Sequence, residues 1–243
     1  MKQLLINVNS FLKGFVLFLR PGVVFGFLIK PLQLVLNTLK LSKWISHQSK
    51  KEILNDFYVA VRDYNKRYKL YEHIIGTEKL ADEAIDYLEF GVSGAYSFKW
   101  WINANKNNDS RFFGFDTFEG LPENWGTYKK GEMHAAIPAM DGTRHEFIKG
   151  LFQQSLYPFI DTHNLNNGKR KIIHLDADLY TSTLFVLTTL ARHLKRDDIL
   201  LFDEFNVPNH EFFAFKCFTE SYYIKYKLIG AVNNYYQVAI KIM

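Results

Sequence analysis

Two short apolar runs in this chain stop on acid. Residues 172–178 read IIHLDAD, and residues 199–204 read ILLFDE. An apolar run of this length ending in charge is the pattern of a buried parallel strand that emerges at the carboxyl edge of a sheet. Open α/β sheets bind their ligands at that edge. Two such strands side by side bring Asp176, Asp203 and Glu204 together. Three neighbouring carboxylates repel one another unless a positive charge sits between them. A hard divalent cation supplies it most simply, because Mg²⁺ prefers oxygen ligands. Asp176, Asp203 and Glu204 are therefore the expected metal ligands.

The rest of the chain repeats the alternation. Strands are expected at 87–92, 112–116, 146–150, 171–176 and 198–203, and helices at 95–104, 152–162, 181–194 and 208–222. YKLIGAV and YYQVAIKI then form an antiparallel pair. Strands alternating with helices predict a doubly wound α/β fold, its mostly parallel sheet covered on both faces. Residues 51–74 read as an amphipathic helix with Ile53, Phe57, Val61 and Tyr64 on one face, ended near Gly76. The expected division is a helical extension over 1–50 and a main domain over 51–243.

The charge is unevenly placed. Lys2, Lys13, Arg20, Lys30, Lys40, Lys43, Lys50 and Lys51 all precede the first acidic residue, Glu52. The remaining 22 basic side chains face 25 acidic ones, so a nucleic-acid-binding body is not expected. Within 3–46, apolar clusters are broken by Arg20-Pro21-Gly22 and Lys30-Pro31. No uninterrupted run reaches the roughly 18–20 apolar residues of a spanning helix. No small-residue cleavage site follows a single apolar core, so the segment does not read as a signal peptide. A cationic, apolar pattern suits helices lying on an anionic membrane surface through residues 1–46. The other reading has these helices pack on the body or form a homo-oligomer interface. The expected location is cytoplasmic, with peripheral attachment to the inner face of the membrane. Cys217 is the only cysteine, which excludes an internal disulfide and a cysteine metal cluster.

The first strand-to-helix turn reads Glu89-Phe90-Gly91-Val92-Ser93-Gly94. Glycine lets backbone approach a ligand, and the helix that follows offers free N–H groups. The dinucleotide fingerprint G-x-G-x-x-G is absent. An acid two residues before the first glycine suits a ligand with a cationic amine. Asp116, followed by Thr117, ends the second strand, where a carboxylate can accept from both hydroxyls of a ribose; a turn cap is the alternative. The loop at 117–143 is punctuated by glycines and carries Trp125, Tyr128, Met133 and His134, the make-up of a lid. His174, inside a strand, reads as a satisfied core histidine.

FGFDTFEGLPE (113–123), KGLFQQSLYPF (149–159), HLDADLYTST (174–183) and LLFDEF (200–205) occur in this order. Over roughly 85–240 the chain thereby resembles the macrocin O-methyltransferase family, class I enzymes that use S-adenosylmethionine to methylate sugar hydroxyls on natural products. The resemblance implies a seven-stranded Rossmann-like sheet whose last strand is antiparallel. It implies Mg²⁺ at Asp176, Asp203 and Glu204, and a hydroxylated, saccharide-like acceptor. It implies S-adenosylmethionine across Glu89, Gly91, Ser93, Asp116, Thr117 and Asp176. Where the family often has an acid near the adenine, this chain has Gln153 and Gln154, and an amide still accepts a hydrogen bond from an amino group.

The chemistry is consistent with that expectation. A sugar hydroxyl is a poor nucleophile at neutral pH, and a cation favours loss of its proton. Asp176 or Asp178 can take that proton, and His134 is a further candidate base unless it is simply a solvent-exposed loop histidine. Capping of the helix near Thr181 is the alternative role for Asp178. Two rival functions remain open. Asp176-Ala177-Asp178 is a D-x-D, as in metal-dependent glycosyltransferases, and a membrane-associated, non-catalytic adaptor would keep the same fold.

Overall fold

The computed structural model describes residues 1–48 and 51–243. The expected boundary at residue 50, and Lys50 itself, lie outside the described residues. The sheet has eight strands: β1 (Leu54–Asn55), β2 (Ile85–Phe90), β3 (Arg111–Asp116), β4 (His145–Lys149), β5 (Arg170–Leu175), β6 (Ile199–Phe202), β7 (Tyr226–Val232) and β8 (Gln237–Ile242). Their order is β1-β7-β8-β6-β5-β2-β3-β4. Only β8 runs antiparallel to its neighbours, pairing that way with both β6 and β7. This is the class I methyltransferase fold expected from the sequence, with one short edge strand added.

The strands look like unbroken apolar runs because both faces are covered. Along β5 and β6, Ile172, Ile199 and Leu201 point into one layer, and Ile173, Leu175, Leu200 and Phe202 into the other. The first layer is filled by α4 (Lys66–Thr77) and α5 (Tyr96–Ala104), through Leu70, Tyr71, Ile74, Phe98 and Trp101. The second is filled by α6 (Phe152–Thr162), α7 (Tyr180–Leu190) and α8 (Glu211–Ser221), through Leu156, Phe159, Val186, Phe212 and Phe215. All parallel strands deliver their carboxyl ends to one edge, where the loops after β2, β3, β5 and β6 meet.

Residues 51–65 correct the sequence expectation. The helix there is confined to Lys66–Thr77, and Gly76 lies inside it. Leu54 and Asn55 instead pair with Gly230 and Ala231 at the sheet edge. The chain then crosses the carboxyl edge, held by side chains of the β7–β8 turn. Asn234 Oδ1 accepts from the backbone N–H of Val59 at 2.8 Å, and Asn233 Oδ1 from that of Asp63 at 3.0 Å. These tertiary bonds outweigh the helical periodicity of Ile53, Phe57, Val61 and Tyr64.

The N-terminal extension forms α1 (Lys2–Phe18), α2 (Pro21–Phe25), a 3-10 turn at Gly26–Leu28 and α3 (Ile29–Ser46). Pro21 and Pro31, read from sequence as breaks, sit in the first turns of α2 and α3, where a missing N–H costs nothing. Pro21–Ser46 is consequently one helical stretch of 26 residues, long and apolar enough by length and composition to cross a membrane. No residue of α1 or α2 is buried. The last part of α3 is different. Asn37 and Leu41 are buried, and the Trp44 ring lies 5.1 Å from Phe205 and 6.3 Å from Phe215. The packing therefore divides the extension between residues 36 and 37.

Candidate active site

A cavity of about 670 Å³ opens at the carboxyl edge of the sheet. Glu89, Gly91, Ser93, Asp116, Thr117 and Gln153 line one half, and Asp176, Asp178 and Glu204 the other. His134 borders it from the long loop. Asp203, expected as a metal ligand, and Gln154, offered beside Gln153 for the adenine, do not line it.

In the first half, Gly91 has φ +97°, and a Cβ there would lie 1.8 Å from the carbonyl oxygen of Asp176. Glycine is required because the backbone leaving β5 at Asp176 passes directly over this turn. Asp116 ties the turn to β3. Its Oδ2 accepts from Ser93 N–H and its Oδ1 from Phe118 N–H, both at 2.8 Å. The turn-capping role is thus present, and each oxygen keeps a lone pair for a ligand. Thr117 caps the same turn, donating from Oγ1 to the Gly120 carbonyl at 2.8 Å.

Glu89 is held from below by a buried relay. Tyr87 donates its hydroxyl proton to Glu89 Oε2 in a short hydrogen bond, and His174 Nδ1 lies 2.8 Å from the Tyr87 oxygen. With its only proton committed, the Tyr87 oxygen accepts from Nδ1–H. His174 Nε2 is then free to accept from Tyr71, 3.3 Å away. His174 is thus the satisfied core histidine expected from sequence. Burial pushes the Tyr87 and Tyr71 hydroxyls well above the usual phenol range, so both remain donors.

In the second half, Asp176, Asp178 and Glu204 each offer an oxygen within 4.8 Å of the others. Asp178 reaches the group through a left-handed backbone conformation, φ 57°. It does not cap α7, whose N-cap is Leu179 without a side-chain bond. Asp203 is turned elsewhere. Its Oδ2 accepts from the Tyr64 hydroxyl at 2.7 Å and lies 3.6 Å from the Arg67 guanidinium. The trio brought together is therefore Asp176, Asp178 and Glu204.

Glu211, at the start of α8, adds a further buried acid, and its carboxylate accepts from Glu204 N–H at 3.0 Å. Burial first, then mutual repulsion, pushes Asp176, Glu204 and Glu211 well above the carboxylate range. Asp178 is pushed up to about 7 by burial and by Asp203 and Asp116. One oxygen each of Asp203, Glu204 and Glu211 is buried without a hydrogen-bond partner. Clustered acids short of donors fit a divalent cation held by oxygen ligands.

The remaining wall was not foreseen. Arg62 lies over the Tyr236 ring at 4.3 Å, and Arg67 over the Tyr64 ring at 4.6 Å. Tyr236 donates to Glu204 Oε1 at 3.1 Å. The alternation of arginine and tyrosine from Arg62 to Tyr68 was the available signal, hidden by the expected helix. In the loop after β3, Trp125 and Tyr128 stack at 5.6 Å and line the cavity.

Residues 88–205 match the model of a methyltransferase domain family. No curated protein sequence matches the chain. Among solved structures, the calicheamicin methyltransferase CalS11 is 17% identical, with 85% of this chain and 91% of that chain covered and a TM-score of 0.56. Apo CalS11, described as a TDP-rhamnose 3'-O-methyltransferase, is 17% identical over 85% and 93% with a TM-score of 0.52. The O-methyltransferase NovP is 15% identical over 73% and 78% with a TM-score of 0.50. At these identities the likeness is one of fold.

Proposed function

We propose that the chain is an S-adenosylmethionine-dependent, divalent-metal-assisted O-methyltransferase of the macrocin type, acting on a hydroxyl of a sugar or glycolipid acceptor. The observation that carries this reading is the single cavity joining the glycine turn and Asp116 to the trio Asp176, Asp178 and Glu204. Glu89 is placed to receive the amine of the amino-acid moiety, and Asp116 the ribose hydroxyls. Gln153, exposed on the cavity wall, suits an adenine amino group. The naming of CalS11 and NovP as O-methyltransferases supports transfer to oxygen.

The acid trio suits a bound divalent cation, and Asp203 is kept in reserve behind it by Tyr64 and Arg67. S-adenosylmethionine and the cation, when bound, would supply the electrophilic methyl and the positive charge that favours loss of a hydroxyl proton. Asp178 borders the same cavity and is the proposed acceptor of the hydroxyl proton, directly or through water. Positioning supplies much of the rate in such a transfer, and the aromatic pair Trp125 and Tyr128 offers a face for a sugar ring.

Calorimetric titration of the intact chain with S-adenosylhomocysteine tests the reading, with sugar nucleotides as the control. Saturable binding of the first at one site per chain is expected. Binding of sugar nucleotides with none of adenosylhomocysteine would move the assignment to glycosyl transfer through Asp176 and Asp178.

A further inference from the structure

Residues 1–36 expose large apolar side chains along their length, among them Leu5, Phe11, Phe15, Val24, Phe27 and Leu32, all more than half-way to full exposure. A run of exposed apolar side chains this long belongs against another protein surface or in lipid. The body offers no core here, because no residue of α1 or α2 is buried. No acidic side chain precedes Glu52.

The direction of α3 is set by what it touches. Asn37 donates to Asn209 at 2.9 Å, the Lys40 ammonium lies 5.5 Å over the Phe213 ring, and Trp44 donates to the Tyr226 hydroxyl at 2.8 Å. Asn209 follows β6 at the carboxyl edge, and Tyr226 begins β7 at the opposite edge. The helix thus runs alongside α8 in the same direction. The residues before Asn37 project beyond the carboxyl edge, where the cavity opens. At 1.5 Å per residue, positions 21–36 reach about 24 Å past it.

We propose that residues 1–36 insert into an anionic lipid bilayer and hold the cavity end of the sheet against that surface. The proposal goes beyond the methyl-transfer reading and stands without it. Charge selects lipid over a second copy of the chain. Two copies packed through this segment would bring Lys2, Lys13, Arg20 and Lys30 of both together with no acid to meet them. In a bilayer the same long side chains extend to anionic headgroups while their stems stay in the apolar layer.

Flotation of the intact protein tests the attachment. Protein purified in mild detergent is mixed with vesicles of phosphatidylcholine, alone or with phosphatidylglycerol, and the detergent is removed. Partition into the anionic vesicles is expected to be about tenfold or more above that into neutral ones, and high salt weakens it without abolishing it. The double variant Phe11→Asp and Phe15→Asp should lose about tenfold in partition. Its unfolding midpoint should not move, because neither ring touches the body. Equal partition into both vesicle types overturns the proposal, as does a lipid-free protein that remains a discrete oligomer and does not float. Orientation is read from fluorophores on Glu123→Cys, at the cavity rim, and Arg196→Cys, at the opposite edge, each in a Cys217→Ser background. Headgroup-labelled quencher lipids should quench the first more strongly, and equal or reversed quenching overturns the placement of the cavity.

Discussion

The hydroxyl of Tyr64 donates to Asp203 Oδ2 at 2.7 Å, joining the crossing segment to the end of β6 across 139 residues. This bond accounts for the position of Asp203 outside the acid trio. The other Asp203 oxygen is already buried without a partner. Burial and the nearby acids push the Tyr64 hydroxyl far above the phenol range, so it stays a donor.

Tyr64→Phe should therefore cost about 1–3 kcal/mol of stability, the scale for stranding a buried acceptor. Urea unfolding of the intact chain in chelator measures it. An unchanged midpoint would mean that Asp203 finds another donor.

Asp116→Ala removes the acceptor for two backbone N–H groups as well as the proposed ribose contact. Affinity for S-adenosylhomocysteine should fall by about 1–3 kcal/mol. Calorimetry decides it, and undiminished affinity would leave Asp116 as a turn cap alone.

Added Mg²⁺ or Mn²⁺ should raise the melting temperature of the intact chain, because a ligand bound only by the folded state stabilises it. Asp176→Asn and Glu204→Gln should each abolish that rise. Protons compete for the same oxygens, and Asp178 is pushed up to about 7, so cation affinity should tighten as pH rises through neutrality. A melting temperature indifferent to both cations would remove the metal from the site.

Trp44→Ala should destabilise the protein by about 3–5 kcal/mol, the range for emptying a large aromatic site. The indole packs among Phe205, Phe212, Phe215 and Tyr235 and donates to Tyr226. Trp44→Phe should recover part of the loss, since it restores packing without the hydrogen bond. Chemical unfolding of both variants separates the two contributions.

Glu78 gives the fold an acid-sensitive clamp between β5 and β8. Burial raises its pKa, but hydrogen bonds from Arg170 and Lys241 outweigh burial and leave it below the ordinary value of 4.5. A depressed carboxyl contributes stability above its unfolded pKa and loses it as pH falls through the folded one. Glu78→Gln should cost about 1 kcal/mol at pH 7, and the gap to the native chain should close below pH ~4.5. Unfolding midpoints across pH 3–7 give the comparison. A gap that widens in acid would contradict the assigned sign.

The parts legible in the sequence were those fixed by local burial. Strands such as IIHL and ILLF are covered on both faces, so their apolar runs survive as a signal. Asp176, Asp178, Glu89 and Asp116 sit at strand ends and were found for that reason. Tyr64, Arg67, Tyr236 and Glu211 escaped, because each owes its place to a partner far along the chain. Tyr64 makes the point physically. Its spacing from Phe57 and Val61 fits a helix face, yet the bond to Asp203 and the asparagines of the β7–β8 turn hold that stretch in an irregular, non-helical path. Asp203 was misread for the same reason, since nothing local to it reveals a tyrosine from residue 64.

The junction at Asn37, Leu41 and Trp44 anchors the C-terminal part of α3 to the body. With the proposed lipid attachment, the cavity is held at a fixed height above the bilayer rather than on a flexible leash. Such an enzyme searches for its acceptor in two dimensions. Its turnover would then follow the mole fraction of acceptor within the membrane, and diluting that membrane with inert lipid would slow it even with the bulk acceptor concentration unchanged.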